Sequence, residues 1–124
     1  MSTPHNQDVL ADIIACSIWK PATVAQSPEV KLADWSIREL PNGNRHFVGY
    51  NVGHYEGRVS SRIEAFDAET KRGITRSGRV YELLGEPGYN GDAEYVWGCW
   101  ASVNNAQHAI DVTDKVLAEI KGAK

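Results

Sequence analysis

A chain of 124 residues with 42% hydrophobic and 23% charged residues has the size and balance of one soluble globular domain spanning 1–124, which excludes global disorder and a two-domain arrangement. Its net charge of −3 argues against a uniformly basic nucleic-acid-binding surface, and no apolar run is long enough to span a bilayer. Two cysteines, Cys16 and Cys99, are too few for a disulfide framework or a four-cysteine zinc site. The start has neither the basic residues nor the continuous apolar stretch of a secretory signal, so the cytoplasm is the expected compartment.

In chain order, Val9, Leu10, Ile13, Ile14 and Ile18 recur at three-and-four spacing and predict an amphipathic helix over Asp8 to Trp19, stopped by Lys20-Pro21. A loop follows to Pro28. From Leu32 the period becomes two: "LADWSIREL" sets Ala33, Trp35 and Ile37 against Asp34, Ser36 and Arg38, and "PNGN" supplies an Asn-Gly turn. "RHFVGYNV" is the returning strand, with Gly49 marking a bulge or a close approach. After "GHYEG", the alternation in "RVSSRIEAFD" predicts a third strand.

The stretch "GITRSGRV", 73–80, has the glycine spacing of a phosphate-binding loop, but Arg79 and Val80 stand where the motif needs Lys and Ser or Thr. Ile74 and Thr75 begin a short strand, Ser77-Gly78 turns, and "RVYELL" alternates again, so the stretch is read as a hairpin. "GEPGYNG" is a loop, Asp92 a cap for a helix over "AEYVWGCWASV" whose inner face is Val96, Cys99, Trp100 and Val103, and Thr113 the cap of a last helix that faces Val116, Leu117 and Ile120 inward and ends near Gly122. The predicted fold is α+β: an antiparallel sheet of four to five strands, with an N-terminal helix and two C-terminal helices packed on one face.

"SRIEAFDAETKRGITRSGRVYELLGEPG", followed by "YVWGCW" and "DVTDKVL", resembles a group of small, uncharacterised bacterial and prophage proteins with the same order of pieces. The resemblance implies a compact domain and a mobile-element origin. It carries no catalytic residue, because no activity is assigned to the group.

Chemistry-bearing residues are few. Cys99, His108 and Asp111 offer the types a cysteine nucleophile needs, but Cys99 falls on the apolar face of its helix. The four histidines, among them His46 and His54, form no recognised metal spacing, so neither metal nor cofactor is expected. Between residues 45 and 79 seven basic residues face four acidic ones, whereas both flanks are acidic. Arg58, Arg62, Arg72, Arg76 and Arg79, near Tyr50, Tyr55, Phe66 and Tyr81, could form a basic and aromatic sheet face that stacks bases and holds phosphates.

Four tryptophans and five tyrosines are many for this size, and Tyr89, Tyr95 and Trp97 meet at a loop–helix junction. Tyr, Trp and Arg are enriched at the energetic centres of protein interfaces. The leading expectation is a non-enzymatic protein that binds another protein through Tyr89, Tyr95 and Trp97, by analogy a phage inhibitor of a host defence complex. A nucleic-acid-binding module is the alternative, and a small enzyme with a Cys99/His108 site the second alternative.

Overall fold

A computed structural model describes residues 28–122. The predicted helix over Asp8 to Trp19 and the loop after it lie outside the described residues. The described chain runs β1 (Glu29–Glu39), β2 (Arg45–Asn51), β3 (Glu56–Val59), β4 (Ile63–Asp67), β5 (Arg72–Thr75), β6 (Val80–Leu83), α1 (Gly91–Val103), β7 (Ile110–Asp111) and α2 (Thr113–Gly122). Six strands lie in the order β3-β2-β1-β6-β5-β4, and β7 pairs with the end of β1.

This corrects the predicted fold class in three ways. The sheet has seven strands rather than four or five, and it is mixed, because β1 runs parallel to β6 over Glu29–Leu32 while pairing antiparallel with β2 and β7. The two helices, both C-terminal among the described residues, do not share one face. α1 packs against β2 and β3 on the side of His46 and Gly57, whereas α2 meets the opposite side, where Val116 joins Ile37 and Phe47.

The long first strand holds these pairings together through a bulge. The β1–β2 register shifts between Ala33 and Ser36, and Asp34 takes a positive φ of 48°. One extra residue reverses the phase of the pleat. Val30 and Leu32 before it and Trp35 and Ile37 after it therefore all enter the same core. Gly88 closes over the bulge, where a Cβ would lie 3.3 Å from the Asp34 Cα, and its N–H donates to Trp35 O at 3.1 Å. Trp35 Nε1 in turn donates to Gly85 O at 3.1 Å, so the loop leading to α1 is tied to the centre of the sheet at two points.

The sheet curls around Phe47. Its ring lies 5.5 Å from Tyr81 on β6 and 5.7 Å from Phe66 on β4, and Gly73 on β5 leaves room for it, since a Cβ there would sit 2.6 Å from the Phe47 Cζ. The predicted third strand is two strands, β3 and β4, separated by a corner. Buried Ser60 makes that corner: its Oγ accepts the Phe47 N–H at 2.8 Å, and its own N–H donates to Phe47 O at 2.8 Å. Residues 73–80 form the predicted hairpin from β5 to β6, with Gly78 at φ 90° in the turn.

α2 covers one end of the core. Val112 N–H donates to Ile37 O, Ile37 N–H donates to the Thr113 hydroxyl at 2.9 Å, and Val112 and Val116 are buried. Thr113 is thus an anchor to β1, while the Asp111 carboxylate takes the Thr113 N–H at 2.9 Å and does the capping. The side chain of Ile120 lies outside the described set.

Candidate protein-binding surface

Helix α1 begins at Asn90 rather than Asp92: the Asn90 side chain accepts the Ala93 N–H at 2.9 Å, and Asp92 and Glu94 lie in the first turn, where negative charge suits the helix dipole. The inner side of α1 is small and aromatic. Ala93 and Ala101 are buried, and Gly57 on β3 lets the first turn approach so closely that a Cβ there would lie 2.6 Å from the Ala93 nitrogen.

Trp97 belongs to a structural clamp. It stacks on Trp100 at 5.3 Å, the Arg38 guanidinium lies 5.0 Å from its ring centroid, and Arg38 pairs with Glu94 on the same helix. Trp100 continues the stack to His46, 4.6 Å away on β2. Cation–π and aromatic contacts of this kind fix both rings against the sheet. Val96, Cys99 and Trp100 are only half-buried and Val103 is exposed, so the predicted apolar face is less sealed than the spacing suggests.

The outer rim is different. Tyr89, just ahead of the helix, is 76% exposed, and Tyr95, in its second turn, is 52% exposed. Tyr55, in the turn between β2 and β3, is 79% exposed and holds a positive φ of 55°, a conformation that costs a tyrosine energy. Because Gly57 touches Asp92 and Ala93, the turn carrying Tyr55 lies beside the first turn of α1. Tyr89 just before the helix, Tyr95 in its second turn and Tyr55 on the adjoining turn are therefore all exposed in this region. Sequence reasoning placed Tyr55 among the sheet aromatics. Its flanking turn in "GHYEG" was the available sign that it stands at a tip.

The five arginines do not come together as one basic face. Arg58 is 7% exposed and donates through Nε to the buried Tyr81 hydroxyl at 2.9 Å, and Arg79 is 5% exposed. Arg62 pairs with Glu64 at 2.9 Å, and Arg72 bridges Glu29 and Glu82. Among the five, only Arg72 and Arg76 are exposed. Cys99 is half-buried, His108 is exposed in the segment after α1, and no hydrogen bond joins them. Among the described residues no cluster of His, Cys, Asp and Glu could hold a metal ion, and no helix is long and apolar enough to cross a membrane.

His46 adds a pH dependence to the clamp. Burial lowers its pKa below the ordinary 6.5, the Ser60 carbonyl at 2.9 Å from Nδ1 opposes that, and the positive charge of Arg62 adds to the lowering. The folded state then binds fewer protons than the unfolded one, so stability from this group is present above pH 6.5 and declines as pH falls toward the folded value. Denaturation midpoints across mildly acidic pH should fall in the parent and fall less in His46→Gln; equal slopes would remove His46 as the cause. Comparison with protein families, with curated proteins and with solved structures gives no match, so the surface itself carries the functional reading.

Proposed function

We propose that the protein works without catalysis, by binding another protein through the tyrosine rim at the start of α1. Tyr89 and Tyr95 are the anchors and Tyr55 stands beside them. The observation that supports this most is that large aromatic side chains stay exposed at one helix end while Trp97 and Trp100, on the same helix, are clamped against the sheet. Tyrosine covers much area at low entropic cost and can hydrogen-bond at its tip, which suits a recognition surface. By analogy with phage inhibitors, the proposed partner is a host complex, blocked when the protein occupies it. Trp97 contributes by holding the helix in place.

The test is copurification of the full chain from a bacterial host, identification of the partner, and titration with the purified pair. Tyr89→Ala and Tyr95→Ala should each weaken binding by about thirtyfold, the loss that corresponds to a hot-spot residue of about 2 kcal/mol. Arg76→Ala should change affinity little. Binding of RNA or DNA that weakens steeply with salt, with no protein recovered, would replace this reading by the nucleic-acid one.

A further inference from the structure

The tyrosine rim carries a charge pattern as well as rings. From Val80 to Asp114 the chain holds six carboxylates and no Lys or Arg. All of α1 and the loop before it lie in that stretch, so the segment that shows Tyr89 and Tyr95 brings no Lys or Arg of its own. The helix dipole accounts for Asp92 and Glu94 in the first turn, and Arg38 offsets Glu94. It does not account for two others. Glu86 is exposed in the loop that leads to Tyr89, and Asp34 is exposed on the bulge of β1, with its Oδ1 3.1 Å from where a Cβ on Gly88 would stand. Gly88 is the residue before Tyr89.

Cations that border this region are engaged. Lys71 reaches the Gly85 carbonyl at 3.3 Å, Lys31 lies 3.9 Å from Glu82, and Arg58 turns inward to the Tyr81 hydroxyl. Asp34, Glu86 and Asp92 thus hold exposed negative charge in the same region as exposed tyrosine rings. The shape of the rim adds a second constraint. Tyr55 in its turn and Tyr89 in its loop are each more than three-quarters exposed, so both project, and only a concave surface covers a projecting ring. A guanidinium satisfies both chemistries: it lies flat on an aromatic face and gives a carboxylate two parallel hydrogen bonds. A phosphate backbone satisfies neither, because the carboxylates repel it.

Taking the tyrosine rim as the binding surface, on which this step rests, we infer that it docks into a concave, arginine-rich surface of a protein partner. Asp34, Glu86 and Asp92 take guanidinium groups, and Tyr55, Tyr89 and Tyr95 supply the faces on which those groups stack. The charges set the rate and selectivity of the encounter, and the rings hold the complex once formed.

Nona-arginine titrated into the isotope-labelled full chain, read by amide chemical shifts, tests this without the natural partner. The amides of Asp34, Glu86, Tyr89 and Asp92 should shift together, the binding should weaken as salt rises, and nona-lysine should bind about threefold more weakly, because an ammonium does not stack flat on a ring. Shifts centred on Asp111 and Asp114 at the start of α2, or spread evenly over all carboxylates, would overturn the inference. The copurified partner supplies the second arm. Glu86→Lys should weaken its binding by about tenfold and Asp34→Asn by about threefold, mainly through slower association. Asn suits the positive φ at position 34, Glu86 lies in an exposed loop, and matching thermal midpoints would show that both variants fold. If Tyr89→Ala weakens the complex while both charge variants and added salt leave it unchanged, the rim stands as the surface and an arginine-rich partner is ruled out. If none of the three variants weakens it, the rim itself is ruled out as well.

Discussion

Gly57→Ala is expected to unseat the first turn of α1 and to lower the stability of the domain by about 3 kcal/mol, the upper part of the range for overpacking. The added Cβ would lie 2.5 Å from the Asp92 carbonyl carbon and 2.6 Å from the Ala93 nitrogen. Both are main-chain atoms in a capped helix turn, so no side-chain rotation relieves the contact. Either β3 moves away from α1 or the helix lifts off the sheet. Lifting it would draw Trp100 from His46 and move Tyr95, carried on the helix, so partner binding should fall along with stability. Chemical denaturation gives the first effect and titration with the partner the second. A variant with the parent's midpoint would show that helix and strand are not in register as described. By contrast, Gly98→Ala meets no atom within 4 Å and lies in the helix interior, where it should stabilise slightly.

The punctuation of the chain was legible because it is local. The turns at Asn42-Gly43 and Gly78 take the positive φ that glycine allows, the hairpin in 73–80 follows from strand-forming neighbours, and α2 runs to Gly122 as the spacing predicts. What escaped depends on distant chain. The parallel partner of β1 is β6, some fifty positions away, and alternation within a strand does not name its neighbour. The bulge at Asp34 reverses the inward phase, and the corner at Ser60 interrupts an alternation that continues through it in the sequence. Arg58 fell on the polar phase of its strand yet is buried, and Arg79 is buried in the same phase as Tyr81 and Leu83. The sheet is covered on its concave side by its own curl and around β2 and β3 by α1, so the polar phase no longer means solvent. For the site, Tyr89 stood out at the loop–helix junction and Tyr95 as an aromatic off the apolar stripe of the helix. Trp97 had the same signature, and only the position of Arg38, more than fifty residues earlier, assigns it to packing.

Trp35→Ala should cost about 3–5 kcal/mol, the range for removing a large aromatic from a core, which is comparable with the whole stability of many small domains. Trp35 is fully buried beside the bulge, packs on Gly49, where a Cβ would approach its Cα to 3.1 Å, and bonds the loop before α1 through both its Nε1 and its carbonyl oxygen. Trp35→Phe separates the two roles. The ring volume is largely kept, and the Gly85 carbonyl still receives the Lys71 ammonium at 3.3 Å, so the loss should be nearer 1 kcal/mol, that of one hydrogen bond with some repacking. The loop, however, loses one of its two ties to Trp35, and Tyr89 follows Gly85 by four residues. Trp35→Phe should therefore weaken partner binding by more than its small stability loss accounts for, although Trp35 touches no surface. Denaturation midpoints and partner titrations on the two variants give both numbers. Equal losses of stability for Ala and Phe would deny Trp35 its place at the centre of the core, and unchanged partner affinity in Trp35→Phe would mean that the tie through Gly85 does not position Tyr89.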